Sequence, residues 1–110
     1  MTCIFITYTM ILLSKNLEFE WDEGNVNKSW LKHSVSWQEA EQVFINDPII
    51  LRLDKRHSLN EKRYSCFGKS NSGRYLFVSF TVRGNKVRVI SARPMSKLDK
   101  YLYEKIQKNS

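Results

Sequence analysis

Residues 75–91 read YLFVSFTVRGNKVRVIS, and this stretch decides the fold. Two runs rich in Val, Phe and Tyr flank Gly84-Asn85, a dipeptide suited to the two-residue turn of a β-hairpin. If that turn closes the hairpin, Arg83 faces Lys86, Thr81 faces Arg88 and Ser79 faces Ile90. Residues opposite one another point to the same side of a sheet. One side then carries Ser79, Thr81, Arg83, Lys86 and Arg88. The other carries Val78, Phe80, Val82, Val87 and Val89, which makes it the core side. An antiparallel sheet tolerates one polar face, and a parallel sheet rarely does. Arg93 has the wrong parity for the polar side of a regular strand. It needs a bulge, or a place past the strand end beside Pro94.

Outward from the hairpin, Arg63–Lys69 and Ile49–Leu53 also read as strands, with a turn at Ser70–Gly73. Leu17–Trp21 is a short strand with apolar residues at alternate positions. Asp22 is placed to cap a helix running to about His33, with Val26 and Trp30 on one face. Ser36-Trp37-Gln38-Glu39 is a capping box, flanked by Val35 and Ala40 as a hydrophobic staple. Ala40, Val43 and Phe44 form the apolar face of that helix, and Asn46-Asp47-Pro48 stops it. Ser96 opens a last helix, with Asp99 three residues on and Leu98, Leu102, Lys105 and Ile106 at helical spacing. Trp21, Trp30 and Trp37 read as core residues. The order β-α-α-β-β-β-β-α is α+β. It implies an antiparallel sheet with two N-terminal helices packed on one face and a C-terminal helix.

The chain has 110 residues, enough for one domain. Two cysteines and two histidines exclude a disulfide scaffold and a zinc site built from them. No P-loop, dinucleotide fingerprint, nucleophile elbow or HExxH motif is present. Residues 3–13 (CIFITYTMILL) are apolar but too short to span a bilayer as a helix. They lack the basic flank and cleavage site of a signal peptide. They read either as an extra strand or as residues upstream of a start at Met10. Residues 1–15 are therefore set apart as an N-terminal extension, and the domain is placed at 16–110. A reducing cytoplasm is the expected compartment.

The net charge is +7, unevenly spread. Residues 1–51 hold three basic and seven acidic groups, or −4; residues 52–110 hold fifteen basic and four acidic groups, or +11. All seven arginines lie in the second part. Arginine forks match phosphate oxygens bidentately, so this half suits a phosphate-bearing partner. The plainer reading is a solvated, solubilising surface.

A basic, open sheet face can hold single-stranded RNA. Cleavage without a metal needs a base for the 2′-hydroxyl, an acid for the leaving 5′-oxygen, and cations for the pentavalent phosphate. Arg63, Arg83 and Arg93 are the residues placed for the phosphate. His57, in a polar loop, has an unperturbed pKa suited to proton transfer. Glu61 reads as a base or as an ion-pair partner of Arg63. Arg74, Lys86 and Arg88, with Lys62 and Lys32, are placed to follow the RNA backbone, although Lys32 also complements a helix C-terminus. Tyr101 and Tyr103 could stack on a base, lend a proton, or anchor the last helix on the sheet. No metal or cofactor is expected.

Five segments resemble, in order, the BrnT toxin family. They are FEWDE (Phe19–Glu23), LKHSVSWQEAEQVFINDP (Leu31–Pro48), His57-Ser58 with Glu61 and Arg63, GKSNSGRYL (Gly68–Leu76) and VRVISARP (Val87–Pro94). The resemblance spans about residues 17–105. Ser34 departs from the usual Gly after Lys-His, a change expected to touch only a helix end. Pro94 follows Ser-Ala-Arg where a helix former is common. The resemblance implies a RelE-like fold and a bacterial ribonuclease that arrests translation, the toxin of a type II toxin–antitoxin pair. It also implies neutralisation by a BrnA-type antitoxin with a ribbon-helix-helix part. Operator DNA would be reached only through that antitoxin, and no membrane is involved. On the family's recurrent polar positions stand His57, Glu61, Arg63, Arg83 and Arg93. The alternative is a module without catalysis that binds RNA or the antitoxin, a degenerate toxin acting as co-repressor.

Overall fold

The computed structural model describes residues 18–46, 49–54 and 61–108. The N-terminal run to Leu17, the Asp47-Pro48 helix stop and His57 lie outside the described residues. The strands are β1 (Glu18–Phe19), β2 (Ile50–Asp54), β3 (Arg63–Lys69), β4 (Tyr75–Arg83) and β5 (Lys86–Pro94). The helices are α1 (Lys28–His33), α2 (Trp37–Ile45) and α3 (Lys97–Lys108). The five strands form one sheet in the order β1-β5-β4-β3-β2.

The hairpin forms at Gly84-Asn85, with Gly84 at φ +62°, a conformation glycine adopts without strain. Arg83 pairs with Lys86 and Thr81 with Arg88. Beyond them the register shifts between Ser79 and Phe80, so Phe80 faces Val89 while Ser79 faces Ser91. The expected Ser79–Ile90 pairing is therefore replaced. Ile90 is the extra residue of a β-bulge, and the bulge reverses the parity of all that follows. Phe77 consequently faces Arg93, which joins the side that carries Arg83 and Arg88.

The sheet is mixed rather than antiparallel, because β1 runs parallel to β5, pairing Glu18 with Lys86 and Phe19 with Val87. Alternation assigns faces to a strand but says nothing of the direction of a distant edge partner. The helix expected from Asp22 is also shorter. Asp22 starts a turn: its side chain accepts from Gly24 N–H at 2.8 Å, and its carbonyl accepts from Asn25 and Val26. Gly24, Asn25 and Asn27 are poor helix formers, so regular helix begins only at Lys28.

Val78, Phe80, Val87 and Val89 point into the core, joined by Leu51, Tyr64, Cys66, Leu76 and Ala92. α2 lays Ala40, Val43 and Phe44 on them, and Phe44 meets Phe80 edge-on at 5.0 Å. Ser36 accepts from Glu39 N–H at 3.1 Å, the Ser half of the expected capping box, while the Glu39 carboxylate accepts from Arg74 instead; Val35 and Ala40 are both buried, as the staple requires. α1 buries no residue fully. Trp30 and Trp37 are exposed (55% and 37%), so of the three tryptophans only Trp21 packs on the core. α3 docks through Tyr103, which is buried and meets Tyr75 edge-on at 5.8 Å. Leu98, Leu102 and Ile106 of that helix remain exposed.

Candidate functional site

Three arginines share the sheet side opposite the core: Arg83 at the end of β4, and Arg88 and Arg93 on β5. Arg63 begins β3 next to buried Tyr64, and alternation gives it the same side. Lys86 lies opposite Arg83 and is exposed. Five of the sequence-predicted cations are thus brought to one face, and the bulge at Ile90 is what admits Arg93.

This face is not bare. Ser65, Phe67 and Thr81 on it are buried. Long arginines lie along it with their aliphatic stems and flat heads against neighbours. The Arg93 guanidinium sits 4.2 Å above the ring of Phe77, and that of Arg52 lies 5.4 Å from the centroid of Phe67.

Most of these cations have a carboxylate partner from elsewhere in the chain. Arg83 donates through Nε to Glu61 Oε2 at 2.7 Å and through Nη2 to Oε1 at 3.2 Å. Glu20 stands 3.9 Å from its Nη1. Arg88 makes a two-pronged pair with Asp22, at 2.7 and 3.0 Å. Arg93 donates to Asp99 Oδ2 at 3.0 Å, and that oxygen also accepts from Ser96 N–H at the start of α3. Glu61 therefore partners Arg83 rather than Arg63.

These contacts set the protonation of the acids. The hydrogen bond from Arg83 holds the Glu61 carboxyl below the usual carboxylate range. The hydrogen bond from Arg88, then the Gly24 amide, does the same for Asp22. Partial burial pushes Asp99 up, but hydrogen bonds from Ser96 and Arg93 outweigh it, and its pKa is lowered. In return Glu61 raises the pKa of Arg83, and Asp22 raises that of Arg88. All three carboxyls are ionised at neutral pH and accept hydrogen bonds only.

Other sequence-predicted residues stand elsewhere. Arg74 donates to Glu39 Oε1 at 2.8 Å and to the Ser34 carbonyl at 3.1 Å, tying the β3–β4 turn to α1 and α2. Lys32 is exposed in the last turn of α1. Lys62 is exposed just before β3. Tyr103 anchors α3, and burial raises its phenol pKa. Among the described residues, no three His, Cys, Asp or Glu side chains gather so as to hold a metal ion. No helix among them is long and apolar enough to cross a membrane. Sequence reasoning missed Arg52, Phe67 and Phe77 on this face. It also missed Glu20 and Asp22 as the acids that meet the hairpin. The available signal for the acids was the opposite charge of the two parts of the chain.

The described residues form an α+β domain with a mixed five-stranded sheet, α2 packed on one side and the arginines gathered on the other. Residues 21–99 match the family model described as "Ribonuclease toxin, BrnT, of type II toxin-antitoxin system". The chain belongs to the BrnT family of ribonuclease toxins. The fold is also that of the Brucella abortus ribonuclease toxin BrnT, with a TM-score of 0.54 at 20% identity over 74% of this chain and 100% of that one. Comparison with curated proteins gave no match.

Proposed function

We propose that this toxin is a metal-independent endoribonuclease of RelE-like design that arrests translation in the cytoplasm and is silenced by a BrnA-like antitoxin. Operator DNA would be reached only through that antitoxin. The observation that carries the reading is the bulge-corrected register, which gives Arg93 the same face as Arg83 and Arg88. A phosphodiester on that face would meet guanidiniums from two adjacent strands. Arg63, Arg83 and Arg93 stabilise the pentavalent phosphate, and Lys86 and Arg88 hold the flanking backbone. Arg74, Lys62 and Lys32 act at longer range through their charge.

Proton transfer falls to Glu61 and His57. Glu61 is ionised and so can accept the 2′-hydroxyl proton, but its pairing with Arg83 lowers its basicity and occupies both oxygens until that pairing is broken. His57 would return a proton to the leaving oxygen. A phosphate arriving at Arg83 competes with Glu61 for the same N–H groups, so binding releases the carboxylate as the substrate settles.

The test is RNA cleavage by purified protein in EDTA. Cleavage is expected, with Arg83→Ala slowing the step by ~10²–10³, the usual cost of removing one preorganised donor. Cleavage that needs a divalent ion, or that is unchanged in both Arg63→Ala and Arg83→Ala, overturns the scheme. The rival binding-only reading predicts salt-sensitive RNA binding and no product.

A further inference from the structure

Arg52 lies on edge strand β2, opposite Ser65, and its side chain is exposed. Among the described residues no carboxylate pairs with it, in contrast to Arg74, Arg83, Arg88 and Arg93. Its guanidinium instead rests against Phe67. Phe67 is paired with Phe77 across β3 and β4, with the rings edge-to-face at 4.9 Å and 77°. Phe77 in turn carries Arg93 on its ring. A row therefore crosses four strands, with a guanidinium at each end and two rings between.

We propose that Arg52 is a phosphate anchor for the RNA segment that leaves the Arg83–Arg93 side and crosses the sheet toward β2, and that Phe67 is its positioning residue. The inference rests on the RNA-directed reading of this face. A guanidinium held over a ring by cation–π attraction spends none of its five N–H donors on that contact. The contact restricts the side chain, so less rotamer freedom is lost when a phosphate binds. Arg83, Arg88 and Arg93 must exchange a carboxylate for the phosphate; among the described residues Arg52 has none to give up. Neighbouring strands stand about 4.8 Å apart, so the row spans about 14 Å from β2 to β5. That is a distance for more than one nucleotide, and it makes Arg52 a flanking contact rather than part of the reacting centre.

The experiment measures binding of a labelled, non-cleavable 2′-O-methyl RNA dodecamer by anisotropy across a salt series in EDTA. Arg52→Ala is expected to weaken binding about fivefold. It should also flatten the log K against log salt slope by about 0.7, the value of one single-strand phosphate contact. Arg52→Lys should keep the slope and recover only part of the affinity. Phe67→Leu should weaken binding in the parent but have no further effect in the Arg52→Ala background, which a purely structural role would not produce.

Unchanged affinity and slope in Arg52→Ala overturn the anchor while leaving the nuclease reading intact. Weakened binding in a protein that never cleaves RNA upholds the anchor and removes the nuclease. If Arg52→Ala weakens binding of a poly-glutamate peptide and leaves RNA binding untouched, the surface serves an acidic chain and the anchor is overturned. A parent protein that fails to bind RNA at all overturns both.

Discussion

Asn25 is the position at which one side chain holds the bulge, and its replacement gives a sharp measure of what the bulge needs. The residue is 5% exposed. Its Nδ2 donates to Val89 O at 2.9 Å and to Glu20 O at 3.0 Å, and its Oδ1 accepts from Asp22 N–H at 2.8 Å. It thereby joins the exit of β1 to β5 immediately before the extra residue Ile90. Asn25→Ala deletes three hydrogen bonds, each worth about 1 kcal/mol net. The groups at Glu20 and Asp22 are near solvent and can find water. The Val89 carbonyl faces the buried end of the network, and leaving it unmatched costs about 1–3 kcal/mol. The expected loss is therefore about 2–4 kcal/mol, a large share of the stability of a domain this size. Asn25→Asp should cost at least as much, because it sets a carboxylate against two carbonyl oxygens. Urea unfolding followed by circular dichroism measures the change. A loss below about 0.5 kcal/mol for both variants would refute the reasoning, since the bulge would then be held by its own strands. RNA cleavage in the still-folded Asn25→Ala protein should fall as well, because a relaxed bulge turns Arg93 off Phe77.

Three further outcomes follow from local geometry. Ser34, at φ 56° and ψ 36°, caps α1 in the left-handed region, where a side chain is strained; Ser34→Gly should raise stability by about 0.5–1 kcal/mol in the same urea assay. Asp22, Glu61 and Asp99 all have lowered pKa values in the fold. Their stabilising effect is therefore whole above the unfolded carboxylate pKa of about 4 and is lost as pH falls through the lower folded values. Thermal melting should hold its midpoint from pH 7 to 5 and drop below pH 4, and an unchanged midpoint at pH 3 would contradict this. Cys66 is fully buried, and burial pushes its thiol pKa up. In a Cys3→Ser background, the native protein should not react with a thiol reagent until urea unfolds it.

The hairpin was legible because its signals are local: a turn dipeptide, and alternation on either side of it. The Ser36 cap of α2 and its staple were legible for the same reason. What the sequence withheld was non-local. Nothing near Glu18 announces a parallel partner at Lys86, and the bulge was legible only as one of two ways to place Arg93, with nothing to locate it at Ile90. The α1 region misled because Asp22 can cap a helix or close a turn, and the Gly24-Asn25 pair decides for the turn. Trp30 and Trp37 were read as core from their type alone, whereas Trp30 is 55% exposed and Trp37 reaches the core only through its contact with Trp21. At the candidate site, residue types gave the arginines but not their acids. Glu61 pairs with Arg83, twenty-two positions away, and Asp22 with Arg88, sixty-six away. Arg52 escaped notice because a cation is recognised by charge pattern, while its importance here comes from the ring beneath it.

The two-residue strand β1 has a consequence for the order in which the molecule comes apart. It meets β5 sixty-eight positions further along the chain, through a register of only two residue pairs. Closing so long a loop for so short a strand makes that clasp depend on the Asn25 bonds and on Phe19 packed against Phe44. When it opens, the amides along Val87 are unguarded and Glu20 and Asp22 swing away with it. Arg88 then loses Asp22 and Arg83 loses Glu20, while Glu61 stays on Arg83, so brief opening at one edge bares Arg88 above all.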